Sequence, residues 1–202
     1  MAYTGINKST DYFNTKLYSG NGASTHAITG VGHQPDFVWI KKRSGTGSHN
    51  LVDAVRGVQT ALESNSTGAQ GTYSNNLSAF GTDGFTVGSG SLVNDNGETF
   101  VSWNWKANGA GSANTDGSIN TTATSANTTA GISIVTHTGN GSTATIGHGL
   151  GAVPKVIISR KTTTDNWFTY HHSLGNGKYI LLEATDAEAT SSNVWNDTTP
   201  TS

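Results

Sequence analysis

The amino-acid sequence predicts an all-β protein made of two tandem jelly-roll or lectin-like β-sandwich domains, the second incomplete at its C-terminus. Three observations predict it. Short β-branched or aromatic segments recur about every 8–12 residues, a spacing that favours a sandwich or barrel over strand–helix crossover units. Glycine reaches 26 of 202 residues, nearly twice the usual ~7%, and comes with abundant Ser, Thr and Asn, so the chain is rich in turns. Glycine and proline markers also repeat at a constant offset. An up-and-down barrel is the second choice.

The strands follow from alternation. Phe13, Thr15 and Leu17 alternate with Asn14, Lys16 and Tyr18, the period of a half-buried strand. Phe37-Val38-Trp39-Ile40 is an unbroken apolar run, expected of a strand covered on both sides. Residues 51–62 form the one candidate helix, weakened by Gly57. Asn96-Gly97 suits a type I′ turn, in which both central residues take positive φ. It leads into residues 99–105, where Val101, Trp103 and Trp105 share one face. Residues 106–114 lack apolar periodicity and read as a flexible linker. The Thr-rich segment 118–129 is expected to be an exposed edge strand leading into Ile132 and Ile134. Val156-Ile157-Ile158 is a second unbroken apolar run, again expected to be covered on both sides.

The repeat sets the domain boundaries. Gly20-Asn21-Gly22 returns as Gly139-Asn140-Gly141, Gly30-Val31-Gly32 as Gly149-Leu150-Gly151, and Pro35 as Pro154, all 119 residues later. Beyond a one-residue shift, Gly57, Thr67 and Ala69 match Gly175, Thr185 and Ala187 at 118. The sequence therefore divides into a first copy at residues 1–106, a linker at 107–117 and a second copy at 118–202 lacking its last two strands. Phe85, Val87, Phe100, Val101, Trp103 and Trp105 have no counterpart in the second copy. An open sheet edge is expected near Ser192 to Ser202, to be completed by the remainder of a longer chain or by strands from another.

Composition narrows function. Lys plus Arg total 11 and Asp plus Glu 13, a net charge of −2, which does not suit a nucleic-acid backbone. The 5 Trp, 6 Tyr and 6 Phe argue against disorder. Cysteine is absent, so neither disulfides nor thiolate metal sites hold the fold. Met1 to Gly5 lacks a signal-peptide pattern, and no apolar run approaches the ~18 residues that would span a bilayer.

No catalytic, cofactor or metal site can be assembled from the residue pattern. His26, His33, His49, His137, His148, His171 and His172 lack ligand spacing, and the adjacent His171 and His172 are expected to point to opposite faces of a strand. Asn94-Asp95-Asn96-Gly97-Glu98 departs from a calcium loop at its first residue and terminal Glu, and reads better as a turn. Asp36, Asp53, Glu63, Asp83 and Glu98 could supply a glycosidase pair, but nothing in the spacing converges them. Gly20-Asn21-Gly22 and Gly30-Val31-Gly32 lack the lysine and helix context of phosphate loops. Trp103 and Trp105 are either a sugar-stacking platform or, more commonly, sandwich core. Trp167, Tyr170 and His171 form a second aromatic group. Lys41-Lys42-Arg43 reads as a solvated strand end that discourages edge pairing.

Long motifs carry a resemblance. Tyr12-Phe13-Asn14-Thr15-Lys16-Leu17-Tyr18-Ser19-Gly20-Asn21-Gly22, Gln34-Pro35-Asp36-Phe37-Val38-Trp39-Ile40-Lys41, Val52-Asp53-Ala54-Val55-Arg56-Gly57, Val101-Ser102-Trp103-Asn104-Trp105-Lys106 and Gly147-His148-Gly149-Leu150-Gly151 resemble a repeated β-sandwich domain of unknown function found in marine bacteriophage virion structural proteins. The resemblance implies a non-enzymatic tail-fibre or appendage component that attaches to other virion proteins and helps contact the host surface; a host-surface glycan is one candidate partner there, and no ligand-binding residues are assigned. It also implies a homo-oligomer, with a trimer favoured, and a virion location reached by assembly in the host cytoplasm and release by lysis. It supplies no catalytic residues and no cofactor. A capsid head-decoration protein and a polysaccharide-degrading virion enzyme are the alternatives.

Overall fold

The structure, a computed structural model, describes residues 5–202. Apart from a short helix α1 (Ser91–Asn94) and a 3-10 turn at Ser9–Asp11, its regular elements are strands. In the first half these are β1 (Phe13–Ser19), β2 (His26–Thr29), β3 (Phe37–Lys42), β4 (Asn50–Asp53), β5 (Thr60–Glu63), β6 (Gly71–Thr72), β7 (Leu77–Gly81), β8 (Gly84–Val87) and β9 (Thr99–Trp105). They form an antiparallel six-stranded sheet in the order β1-β9-β3-β4-β5-β6 and a three-stranded sheet in the order β2-β8-β7. The last strand in sequence, β9, lies between β1 and β3 and pairs with both.

Alternation decides what each strand buries. Val38 and Ile40 of β3, Val52 of β4, Ala61 of β5 and Phe100 of β9 face inward and meet Ile28, Leu77, Phe85 and Val87 of the smaller sheet, with Val93 of α1 closing one end. Tyr18 stacks on Phe100 with centroids 5.2 Å apart and donates its hydroxyl to Val93 O at 2.8 Å. Burial pushes the ionisation of that hydroxyl far up, so it acts only as a neutral donor.

Residues 51–62 are not a helix. They form the β4–β5 hairpin, because Asp53 Oδ1 accepts the N–H groups of Val55 and Arg56 at 3.1 and 2.8 Å and the nascent turn then ends at Gly57, whose φ is +90°. The expected type I′ turn at Asn96-Gly97 is also replaced. It follows helix α1 rather than a strand, and of its two central residues only Gly97 has positive φ, at +79°. Glu98 N–H closes the turn on Asp95 O at 3.2 Å. Positive φ at the third position alone is the requirement of a type II turn. At Gly20 a side chain is excluded outright, since a Cβ there would fall 2.1 Å from Asp95 O.

The second half holds β10 (Thr121–Asn127) paired with β11 (Ile132–His137), and a four-stranded sheet of β12 (Val156–Ser159), β13 (Phe168–His171), β14 (Lys178–Leu181) and β15 (Ala189–Thr190). The strand starts keep the sequence offsets. β11 opens 119 residues after β1 and β12 opens 119 after β3, while β13, β14 and β15 open 118 after β4, β5 and β6. The Thr-rich segment supplies β10, whose Thr121, Thr124 and Ser125 are buried. Residues 107–117 are tied down: Ala107 N–H bonds Asp36 Oδ2 at 2.8 Å in the first half, and along β10 Asn108 N–H bonds Ser125 Oγ at 2.8 Å and Asn114 N–H bonds Thr121 Oγ1 at 2.7 Å.

One expectation fails in this half. The run Val156-Ile157-Ile158 is not covered on both sides, for Val156 is 51% and Ile158 46% exposed. Among the described residues, no strand pairs with the free edge of β12, so that edge has no neighbouring strand to cover it.

Candidate functional site

The outer face of the six-stranded sheet collects aromatic side chains in two transverse rows. In register, Phe13 of β1, Trp105 of β9 and Phe37 of β3 stand side by side, with ring centroids 4.9 and 5.1 Å apart. The next row is Thr15, Trp103, Trp39 and Leu51, with Trp103 and Trp39 edge to face at 6.1 Å. Inward residues of β9, among them Phe100, Ser102 and Asn104, are fully buried. Trp103 and Trp105 therefore do not fill the core; they are half-buried on the opposite face. Phe13, at 37%, and Leu17, at 58%, extend this face into solvent.

His49 finishes the second row. Trp39 Nε1 donates to its Nδ1 at 3.1 Å, which requires that nitrogen unprotonated. Burial, with Lys41 nearby, lowers the pKa of His49, so the neutral ring that accepts this bond prevails at neutral pH. Further along, Leu51 and Leu62 are covered by Trp167 from the second half. Trp167 Nε1 donates to Glu63 O and Ser66 O at 3.1 and 3.0 Å. Arg160 lies over the Trp167 ring, 4.7 Å from its centroid, and donates to Ser66 O, Thr67 O and Gly68 O. Aromatic stacking plus charge-assisted bonds to carbonyls fix the junction of the two halves over one end of the aromatic face.

The histidines and carboxylates are dispersed among separate contacts. His26 Nδ1 bonds Asn94 Oδ1 at 2.8 Å, His33 Nδ1 bonds Thr10 O at 2.9 Å, and His148 Nε2 bonds Thr201 O at 2.9 Å. His171 and His172 do not point to opposite faces. Their rings lie 4.9 Å apart, because β13 ends at His171 and His172 already belongs to the turn. Tyr170 is buried against Trp195, at 5.8 Å. Asp36 is buried and holds Ala107 N–H. Asp53 pairs with Arg56 at 2.6 Å, both nearly buried. Glu98 takes the Ser44 hydroxyl, and Asp95 pairs with Lys42 at 2.7 Å. Among the described residues, no three His, Asp or Glu side chains gather where they could share a metal ion.

Asp83 shows what the repeated glycines do. Gly30 and Gly32, with φ of +78° and +92°, turn their N–H groups onto its carboxylate at 2.9 and 2.6 Å. These bonds, Gly32's being the larger, hold the Asp83 carboxyl below the usual carboxylate range. A depressed folded pKa contributes stability above the unfolded pKa of about 3.9 and loses it as pH falls through the folded value. Asp83→Asn is therefore expected to lower the urea midpoint at pH 7 and to converge with the unmodified protein as the pH falls through the depressed pKa of Asp83. An equal deficit above and below that pKa would show that the carboxylate charge is not what the two N–H groups hold.

Trp103 and Trp105 were legible as a pair on one face, but Phe13, Phe37, Trp39 and His49 were not seen to join them. Their common parity along each strand was available; the pairing of β9 with both β1 and β3 was not. A shallow recess elsewhere is lined by Asp11, Tyr12, His33, Gln34, Thr82 and Lys106, and His33 Nε2 is buried beside it without a hydrogen-bond partner.

Fold and surface together define an all-β, sandwich-like protein whose larger sheet presents a half-exposed aromatic face. The chain belongs to the family described as a domain of unknown function, DUF7483, whose model matches residues 8–202. No curated protein and no solved structure matches it.

Proposed function

We propose that the chain is a virion structural protein of a bacteriophage, a non-enzymatic tail-fibre or appendage component built from two tandem copies of one sandwich domain. The observation that carries the contact role is the aromatic face formed by Phe13, Trp105, Phe37, Trp103 and Trp39. Flat, half-exposed rings with solvent-facing Phe13 and Leu17 suit stacking on sugar rings or on a partner's apolar patch. The two-copy reading is supported by the strand starts, which keep the 119 and 118 offsets of the sequence markers. The virion setting rests on the long motifs quoted above. Within a particle the chain would assemble with other virion proteins as a homo-oligomer, a trimer being the favoured form.

The test locates the protein and probes the face. Antibody labelling of intact particles is expected at the tail; uniform labelling of the shell would overturn the appendage role in favour of head decoration. The double substitution Trp103→Ala with Trp105→Ala is expected to weaken binding to host cells at least about tenfold, roughly 1.4 kcal/mol. Binding unchanged by that pair would remove the aromatic face from host contact.

A further inference from the structure

In the second half β11 and β12 each leave one edge unpaired, and the first half shows the strand that occupies the equivalent place. In the first half, Gly20 N–H bonds Glu98 O and Lys106 N–H bonds Tyr12 O, both at 2.8 Å, so Asn14, Lys16 and Tyr18 direct their peptide groups at β9. On its other side, Arg43 N–H bonds Thr99 O at 2.7 Å, so Phe37, Trp39 and Lys41 do the same from β3. Transposed by 119 residues, the equivalent positions are Ser133 and Val135 in β11, and Val156 and Ile158 in β12.

Those are the positions left open. Thr124 exchanges both peptide bonds with Ser112, at 2.7 and 3.2 Å. It therefore faces away from β11, leaving Ser125 and Asn127 to pair with Ile134 and Ile132. Ser133 and Val135 then point their peptide groups away from β10. His172 N–H bonds Lys155 O at 2.9 Å, which turns Ile157 and Ser159 toward β13 and leaves Val156 and Ile158 facing outward. β11 and β12 each end their sheets. Two further observations mark these edges: the half-exposed Val156 and Ile158, and the Ser133 hydroxyl oxygen, buried without any hydrogen-bond partner.

We infer that β11 and β12 form an acceptor site for one added antiparallel strand of the β9 type, carried by a polypeptide segment outside residues 1–202. The inference rests on the two-copy reading, not on the virion role. The occupant's chemistry follows from register. Its Trp105 counterpart would lie between Ile132 and Val156, its Trp103 counterpart between Ile134 and Ile158, and its Asn104 counterpart beside Ser133, as β9 lies between β1 and β3. Alternate aromatic residues thus cover the exposed aliphatic ones, while small polar residues face inward. A second copy of the described residues cannot supply this strand from its own β9, which is paired on both edges. Main-chain pairing would give affinity and the two aromatic side chains specificity, as in strand addition generally.

The test uses the full 202-residue chain and a synthetic peptide with the sequence of residues 97–106. One peptide is expected to bind per chain and to slow amide exchange at Ser133, Val135, Val156 and Ile158 about tenfold or more. N-methylation at the Ser102 position should block pairing with β11, and N-methylation at the Trp103 position pairing with β12, each weakening binding about tenfold. The half-exposed Ile158 allows Ile158→Glu to be tested in a folded chain, with the same expected loss. Absence of binding, equal binding of a scrambled peptide, or protection confined to other amides would overturn the inference. So would protection of these four amides in the free chain through self-association, which would make a second copy the occupant. None of these outcomes depends on where in a particle the chain resides, so failure here is separable from failure of the virion role.

Discussion

Replacing Phe100 by alanine is expected to lower the unfolding free energy by about 3–5 kcal/mol, the range for removing a large buried aromatic side chain. Phe100 is completely inaccessible, lies in a strand of the larger sheet that is paired on both edges, stacks on Tyr18 and belongs to the cluster that joins the two sheets. Its loss therefore removes buried area and leaves a cavity that a paired strand cannot collapse to fill. Trp103, three residues along on the other face, is a control: Trp103→Ala should cost clearly less stability while affecting surface binding. Urea unfolding of both variants measures the difference. A Phe100→Ala protein within about 1 kcal/mol of the unmodified one would show that the two sheets do not depend on this contact.

The second large effect is expected at Asn94. This residue is fully buried at the end of α1. Its Oδ1 accepts Asn21 N–H at 3.0 Å and pairs with His26 Nδ1 at 2.8 Å, while its Nδ2 donates to Asn21 Oδ1 and Ala23 O, both at 3.0 Å. Asn94→Ala strips partners from several groups at once. Each buried group left unpaired costs about 1–3 kcal/mol, so a loss of about 3 kcal/mol or more is expected. Amide exchange should also become faster in residues 20–26, which this side chain and the Gly22 N–H bond to Asn94 O at 2.9 Å tie to α1. A stable variant with unchanged exchange there would mean that the loop is held by something else.

How much was readable in advance follows from what is local. The strands at Phe13, Phe37, Thr99, Ile132 and Val156 announced themselves through alternation or β-branched runs, which depend on neighbours along the chain. The β4–β5 hairpin did not, because its decision lies in one carboxylate, Asp53, bonding two amides ahead of it and in the positive φ of Gly57 and Gln59. Helix α1 is too short to show a period. The aromatic face was half legible: Trp103 and Trp105 share a parity, but Phe13, Phe37 and Trp39 join them only because β9 inserts between two strands far away in sequence, and no single-strand pattern encodes that. Likewise the exposure of Val156 and Ile158 reflects an unpaired edge, which their own apolar character disguises.

The position of β9 also governs the order of events in folding. Its pairs with β1 span from 80 residues, between Ser19 and Thr99, to 92, between Phe13 and Trp105. Contacts so distant in sequence impose a loop-closure cost before they stabilise anything, which slows folding of sheets dominated by them. During synthesis β1 and β3 emerge long before the strand that separates them, and each must wait with an open hydrogen-bonding edge. Lys16 in β1 and Lys41 in β3 place charge along these waiting edges, where it disfavours pairing with another nascent chain. These two lysines thus act on the interval before β9 arrives.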